Sequence, residues 1–174
     1  MLQTDFKAEL LNKRLFIKDN DLDEIFELYK TNEYFSKVSN NYPITKELVH
    51  ADINDAPPAI DKARKFFCSI YNEEDKLAAV IDFIDRYSFQ DKNKEEAVWI
   101  GLLQINGNMH RSGLGTRILG AFENASKSNG KRFIQLGVIK ENQVGFDFWR
   151  RQGFIVFSEK RSGAHDLFLM EKLL

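Results

Sequence analysis

The sequence predicts a mixed α/β fold of the α+β type, in which a central sheet of about six to seven strands carries helices on both faces. Three observations support this prediction. Apolar runs of strand length are interspersed with amphipathic helical patterns. Residues 98–138 contain a strand, a small-residue loop, a helix and a second strand, the order of a βαβ unit with adjacent parallel strands. Upstream, successive strand-like runs without intervening helices favour antiparallel pairing.

Composition narrows the class of protein. The chain has 174 residues and 43% hydrophobic content, enough for a single domain over residues 1–174 with a substantial core. The formal net charge of -1 gives no electrostatic footprint for nucleic acid or an anionic membrane surface, so we expect neither as a partner. No apolar stretch approaches the ~18–20 residues of a membrane span, and the charged N-terminal segment does not resemble a secretory signal.

The single cysteine, Cys68, bears on location and chemistry. It excludes an intramolecular disulfide and a CxxC metal pair, and we expect no metal site. A reducing, cytoplasmic compartment is the simplest interpretation. Cys68 itself lies in an apolar run, which is typical of a small core residue rather than a nucleophile.

Apolar spacing, capping residues and prolines define the individual elements. In the first half they predict a strand over 14–18, a helix from Leu22 after an Asp19–Asp21 cap, a helix capped by Thr45 that ends before Pro57, and a hairpin of strands over 65–71 and 77–89. In the second half they predict a solvated turn over 90–94, a strand over 98–105, a helix over 114–128, a strand over 133–138, a helix over 142–152 and a final strand pair over 154–157 and 166–170.

The loop between the first parallel strand and its helix has the features of an anion site. It reads His110-Arg111-Ser112-Gly113-Leu114-Gly115-Thr116, and the helical pattern begins within it. The first turn of a helix presents unpaired N–H groups and the positive end of the helix dipole. Glycines let a ligand approach this backbone closely. The segment therefore predicts a cradle for an anion, most often a phosphate.

Two common nucleotide-binding loops do not fit this segment. A Walker-type loop requires GxxxxGK[ST], which the sequence does not contain. A dinucleotide fingerprint requires GxGxxG, but after Gly113 and Gly115 the position of the third small residue is occupied by Ile118. A side chain of that size is wrong for the helix–strand contact of such folds.

The segment 98–154 resembles the GNAT family of acyl-CoA-dependent N-acetyltransferases. The family signature Gln/Arg-x-x-Gly-x-Gly/Ala corresponds to residues 110–115, with His110 in place of the usual glutamine or arginine. Family members approach this loop through Leu-x-Val-x-Pro and follow it with an asparagine, an aromatic pair and a Gly-Phe dipeptide. The corresponding residues are Leu103-Gln104-Ile105-Asn106-Gly107, Asn142, Phe148-Trp149 and Gly153-Phe154.

The resemblance implies acetyl-CoA as co-substrate and an amine acceptor, in a protein that is a monomer or a homodimer. Strand backbone would hold the pantetheine arm, loop N–H groups would bind the pyrophosphate, and the splayed parallel strands would let strand N–H groups polarise the thioester carbonyl. The implied coenzyme A-binding residues are Leu103, Ile105, His110, Arg111, Ser112, Gly113, Leu114, Gly115, Thr116, Asn142, Phe148 and Trp149. Residues 1–94 would supply the acceptor side, residues 95–157 the acyl-CoA core and residues 158–174 the C-terminal strand.

Amine acetylation requires removal of a proton, because a primary alkyl ammonium has a pKa of about 10.4. Asp82 and Asp85 interrupt an apolar strand, where a carboxylate is costly, and we rank them slightly above Glu95 and Glu96 at the start of the motif strand. Arg86 is expected to share a face with Asp82 and to neutralise it through a neighbour.

One departure from the family pattern leaves two functions open. Trp149 stands where many members have a tyrosine that protonates the departing thiolate, and an indole N–H cannot act as an acid. The first hypothesis is direct transfer of acetyl from acetyl-CoA to a primary amine. The second is a binding module that retains acyl-CoA without turnover, as a sensor or partner subunit. The acceptor itself would be shaped by residues 31–65 and the last hairpin.

Overall fold

The computed structural model describes residues 1–58, 60–90 and 94–174. Within these ranges the α-helices are α1 (Leu2–Leu11), α2 (Leu22–Lys30), α3 (Glu33–Val38), α4 (Lys46–Asn54), α5 (Leu114–Ser128) and α6 (Gln143–Arg151). The strands are β1 (Phe16–Lys18), β2 (Lys65–Tyr71), β3 (Leu77–Asp85), β4 (Ala97–Ile105), β5 (Phe133–Ile139), β6 (Ile155–Ser162) and β7 (His165–Leu173). Short 3₁₀ turns occupy Lys62–Arg64 and Gly107–Met109.

The seven strands of the described residues form one mixed sheet in the order β1-β2-β3-β4-β5-β7-β6. Strands β4 and β5 are parallel, and every other neighbouring pair is antiparallel. The predicted βαβ unit is therefore confirmed, with α5 as its crossover, and so is the antiparallel arrangement of β2, β3 and β4. The mixed α/β fold class predicted from the sequence is confirmed as well.

The sheet separates two apolar cores. On one side, called here the α5 face, Phe6 of α1, Phe122 of α5 and Trp149 of α6 belong to one buried cluster. On the other side, the α2 face, Tyr29 of α2 and Val49 of α4 pack in a second cluster with residues of β3. Helices therefore cover both faces, and the centre of the sheet, where β4 meets β5, lies between the two layers.

Three helices begin at side-chain caps, of which the sequence analysis predicts those of α2 and α4. Asp21, Thr45 and Asn142 each accept a hydrogen bond from a backbone N–H group in the first turn of α2, α4 and α6. Such caps contribute typically about 1 kcal/mol each, and they fix where the chain enters each helix. None of the helices in the described ranges is long and apolar enough to cross a membrane.

Several elements differ from the prediction. Helices α1 and α3 are missing from it, and α1 has no side-chain cap. Strand β3 ends at Asp85 rather than at residue 89, because Arg86 adopts a left-handed φ of 57° that interrupts the strand. The last two strands are longer than predicted. The turn predicted over residues 90–94 includes residues 91–93, which lie outside the described residues.

Candidate active site

The two parallel strands diverge after their first half. Strand β4 pairs with β5 from Ala97 opposite Phe133 to Ile100 opposite Leu136. Beyond that point β4 continues along β3 and β5 continues along β7, and no further pairing joins them in the described structure. Residues 101–105 and 137–139 therefore border an opening, called here the wedge. Backbone groups of β4 that point into the wedge lack a strand partner, and an extended ligand chain can pair with them.

Gly101 forms a β-bulge at the narrow end of the wedge. Asp82 of β3 lies opposite Leu102 and Phe83 lies opposite Ile100, so Gly101 is the extra residue of β4. Gly101 is exposed although it belongs to a central strand. A Cβ atom at this position would lie 2.8 Å from Asp82 Oδ2. The Asp82 carboxylate therefore stands directly over the backbone of the bulge, where only glycine leaves room for it.

The Asp82 carboxylate is 17% exposed and belongs to a cluster of titratable groups on the α2 face. Lys65 Nζ lies 3.5 Å from Asp82 Oδ1, and Tyr29 Oη donates a hydrogen bond of 3.0 Å to Asp52 Oδ2. Burial raises the pKa of Asp82 to about 6, with Lys65 opposing the increase and Asp52 adding to it. A carboxylate with this pKa is mostly ionised at neutral pH and suited to accept a proton.

Asp85, the second predicted candidate base, lies away from the bulge. It follows Asp82 by three positions, so its side chain projects from the opposite side of β3. Asp85 Oδ1 lies 2.5 Å from Lys131 Nζ, which also donates to the Glu95 carbonyl at 2.7 Å. The structure therefore gives Asp85 a buried ion pair that joins β3 to the chain between α5 and β5.

The two glutamates precede β4 and lie far from Gly101. The Glu95 side chain is 75% exposed, and the residue lies roughly 20 Å from the bulge along an extended strand. Glu96 is also partly exposed, 3.7 Å from Arg132. The expectation that Arg86 neutralises Asp82 is wrong. Arg86 contacts Asp85 and Glu95, each at 3.8 Å, because the turn at Arg86 directs its side chain away from the α2 cluster.

Removing the Asp85 charge is expected to destabilise the protein. Asp85→Asn leaves Lys131, whose side chain is 5% exposed, without its counter-charge, and such a loss costs about 3 kcal/mol. Urea denaturation should give a lower midpoint with an unchanged m-value. Glu159→Gln is the matched control, because its ion pair with Lys140 is more exposed and is expected to contribute less than about 1 kcal/mol. Equal midpoints for the two variants would contradict the assignment.

The loop before α5 offers a row of N–H groups without partners. Gly113 has a φ of 76°, in the left-handed region that favours glycine, and α5 begins at the next residue. Within the described structure, the N–H groups of residues 111–116 donate to no other protein group, and the first donor of the helix is Arg117, to Gly113 O at 3.0 Å. The positive end of this 15-residue helix adds to the attraction for an anion. The loop thus has the geometry of the predicted anion cradle.

Side chains from neighbouring elements hold this loop. His110 Nε2 lies 3.0 Å from the Ile105 carbonyl oxygen, and the Gly107 N–H donates to Thr31 Oγ1 at 2.7 Å. Arg111 is exposed and adopts a positive φ of 59°. His110 is exposed, and its contact with the end of β4 shapes the turn between β4 and α5.

The aromatic pair of α6 divides between surface and core. Phe148 is half-buried against the start of α5, since a Cβ at Gly115 would lie 3.2 Å from its ring. Trp149 is 9% exposed and packs on Phe154 with ring centroids 5.1 Å apart. Asn142 uses its side-chain oxygen to cap α6, 3.0 Å from the Gly145 N–H. Phe148 therefore borders the anion loop, whereas Trp149 is a core residue.

Metal and thiol chemistry find no support in the described part of the chain. No group of three or more His, Cys, Asp or Glu side chains is arranged there to hold a metal ion. Cys68 is buried, and burial raises the pKa of its thiol to about 11. A thiol in this environment is a poor nucleophile, which agrees with the core role predicted for it.

The fold and the site define a class of protein: a mixed sheet in which two parallel strands diverge and the first leads through an anion loop into a helix. Residues 22–154 match the family model described as the acetyltransferase (GNAT) family. The chain belongs to this family. The resemblance predicted from residues 98–154 is therefore confirmed, and the match extends further toward the N-terminus than the motif itself.

Relatives and solved structures agree with this assignment. The chain is 27% identical over 120 residues to the uncharacterized N-acetyltransferase YesJ of Bacillus subtilis (strain 168), a match that covers 66% of this chain and 65% of the relative. An acetyltransferase structure from Thermus thermophilus has a TM-score of 0.70 at 18% identity, covering 92% of this chain and 97% of that one. The PaiA N-acetyltransferase of Thermoplasma acidophilum, solved with coenzyme A, has a TM-score of 0.61 at 18% identity, with coverages of 92% and 99%.

Sequence reasoning missed the residues that surround Asp82. A single glycine inside a strand pattern is a signal for a bulge, and Gly101 stands alone within the apolar run 97–105. Lys65 and Asp52 give no comparable signal, because the contact of Lys65 with Asp82 depends on strand register and the nearness of the Asp52 charge depends on the position of α4. The spacing of three residues between Asp82 and Asp85 does give a signal. An odd spacing places the two side chains on opposite sides of the strand, so both cannot face the same site.

Proposed function

We propose that this protein transfers an acetyl group from acetyl-CoA to a primary amine by direct attack. The observation that carries the proposal is the exposed bulge at Gly101, which adjoins both the wedge and the Asp82 carboxylate. The unpaired N–H groups of residues 111–116 fit the pyrophosphate of the donor. Backbone groups of β4 that lack a strand partner fit the amide groups of the pantetheine arm, and Phe148 and Ile105 border the path between the two sites.

The chain contributes two functions to the chemical steps, polarisation of the carbonyl and acceptance of a proton. Backbone N–H groups near Gly101 polarise the thioester carbonyl where negative charge develops. The amine nitrogen attacks the carbonyl carbon, so that an N–C bond forms and the C–S bond breaks. Asp82 accepts the proton that the ammonium nitrogen loses. Coenzyme A leaves as a thiolate and takes a proton from water. Water is a sufficient acid here, because the thiol has a reference pKa of about 8.5.

The acceptor enters from the α2 face, opposite α5. Two contacts across this entrance join α3 and its C-cap to the turn after β5 and to β7. Tyr34 Oη donates to the Glu141 carbonyl at 3.3 Å, and His165 Nε2 lies 3.2 Å from the Ser39 carbonyl oxygen. These contacts support an acceptor site bounded by α3 and by the β6–β7 hairpin, as the family resemblance implies.

A second candidate function rests on Trp149. Trp149 is buried, and its indole N–H cannot act as an acid, so residue 149 offers no acid beside the wedge. A protein of this fold without an acid for the thiolate would bind acyl-CoA and turn it over slowly. Such a protein would act as a sensor or as a partner subunit. The two functions differ in thiol release and share donor binding.

Donor binding and turnover are tested separately. Acetyl-CoA at 100 times its Kd should stabilise the fold by about 2.7 kcal/mol, which raises Tm by about 5–10 °C for a chain of this size. Gly113→Val forces a β-branched residue to a positive φ and should lose this increase. Release of thiol in the presence of a monoamine, a polyamine, an amino acid and a peptide with a free N-terminus then measures transfer. Binding without release above hydrolysis would favour the second function, and no rise in Tm would contradict both.

A further inference from the structure

Lys65 occupies an unusual place for a lysine. Lys65 is the first residue of β2, yet its side chain is only 7% exposed. Lys65 Nζ donates to the carbonyl oxygens of Asp52 and Ile53, at 2.5 and 3.4 Å, in the last turn of α4. The same nitrogen lies 3.5 Å from Asp82 Oδ1. Carbonyl groups at the end of a helix carry partial negative charge and stabilise a cation, so α4 fixes the ammonium group beside the carboxylate.

The charges around Asp82 give this contact a specific consequence. The titratable groups that interact with Asp82 are Lys65 and Cys68 on β2, Asp52 on α4 and Tyr29 on α2. Burial and the Asp52 charge disfavour an ionised Asp82, and Lys65 is the cation that opposes them among the described residues. The separation of 3.5 Å between Lys65 Nζ and Asp82 Oδ1 is longer than a tight hydrogen bond. The other carboxylate oxygen, Oδ2, is the atom nearest to the Cβ position of Gly101.

We infer that Lys65 is the positioning residue of Asp82: held by the last turn of α4, it keeps the carboxylate ionised and oriented over the Gly101 bulge. This inference rests on the proposed function, in which Asp82 accepts the proton of the amine. Lys65 does not touch the reacting atoms. It acts through Asp82. The pairing of β2 with β3 and the position of α4 bring Lys65 and Asp82 together.

The test is the titration of Asp82 in Lys65→Met. Carbon-13 NMR of aspartate carboxyl groups, with Asp82→Asn used to assign the signal, follows this titration without any acceptor or turnover. Loss of an adjacent cation raises the pKa of a carboxyl group by at least about one pH unit, and commonly by about two. The kcat/KM for thiol release, with acetyl-CoA and the best acceptor of the amine panel, should then fall about five- to fifty-fold at pH 6 and recover above pH 9. Lys65→Arg keeps the charge and should restore most of the titration.

Lys131→Met is the matched control. Lys131 is buried to nearly the same degree as Lys65. It pairs with Asp85, which is on β3 like Asp82, but this pair lies away from the bulge. It should lose stability while Asp82 titrates as in the wild type. If Lys65→Met does not fold, Lys65→Gln keeps a donor for the α4 carbonyls and removes the charge.

The outcomes separate the inference from the proposed function. An Asp82 titration that is unchanged in Lys65→Met, or equally displaced in Lys131→Met, overturns the role of Lys65. If the pKa of Asp82 rises in Lys65→Met but the pH profile of kcat/KM does not move, Lys65 still controls the ionisation of Asp82. In that case Asp82 is not the base, and the proposed function loses its proton acceptor. Parallel displacement of both supports the two assignments together.

Discussion

Replacing Asp82 with asparagine is expected to lower kcat/KM by about 10²- to 10⁴-fold, the range typical for loss of a general base. Asparagine has nearly the same size and lies beside Gly101, but its amide cannot accept the proton that the acceptor nitrogen loses. The measurement is steady-state thiol release with acetyl-CoA and the best acceptor of the amine panel. The KM for acetyl-CoA should change little, because Asp82 does not border the anion loop.

The pH profile gives this prediction a definite sign. Burial raises the pKa of Asp82 to about 6, and only the ionised carboxylate accepts a proton. Expressed per concentration of neutral amine, wild-type kcat/KM should therefore be flat above pH 7 and fall below pH 6, approaching tenfold per pH unit. In Asp82→Asn this acidic limb should disappear, since an amide does not titrate in this range.

Glu95→Gln is the control for both measurements. Glu95 is a carboxylate of the same region of sequence, but it is exposed and far from the bulge, so its loss should leave rate and profile unchanged. An acidic limb that persists in Asp82→Asn would assign the titration to another group. Equal losses in the two variants would remove the reason to prefer Asp82 over the glutamates.

Local signals explain what the sequence predicted well. The bounds of α5 and the caps of α2 and α4 follow from residues within one turn of each boundary. The parallel pairing of β4 and β5 follows from the single crossover geometry that a βαβ unit allows. The anion loop combines both, because Gly113 supplies the positive φ and the helix that follows supplies the N–H groups.

Long-range contacts explain what it did not predict. Helix α1 has apolar residues at a spacing of four, Leu2, Phe6 and Leu10, but it lacks a capping side chain, and packing against α5, β1 and β3 fixes it. Asp82 acquires its environment from α4 and from Lys65, which lies at the far end of the β2–β3 hairpin. The sequence therefore predicted Asp82 and Asp85 together as candidate bases, because a carboxylate is improbable in an apolar strand. It could not identify Lys65, because a lysine at a strand end normally remains in solvent.

Gly101→Ala is expected to lower kcat/KM by about 10- to 100-fold with little effect on stability, because small displacements of reacting groups carry costs of this order. The new Cβ would lie 2.8 Å from Asp82 Oδ2, a distance that real Cβ contacts do not show. The nearest atom is the end of a side chain rather than backbone, so the carboxylate can rotate away and the sheet can persist. The enzyme should then fold and bind acetyl-CoA normally while its base is displaced from the bulge.

Gly120→Ala is the control for this substitution. A Cβ at Gly120 meets no atom within 4 Å, and the residue lies inside α5, where alanine is favoured over glycine by about 1 kcal/mol. It should be as active as the wild type and slightly more stable. Thermal unfolding, the rise in Tm with acetyl-CoA and thiol release together distinguish the two variants. Full activity in Gly101→Ala would mean that the carboxylate acts from another position, and the role of the bulge in placing it would have to be abandoned.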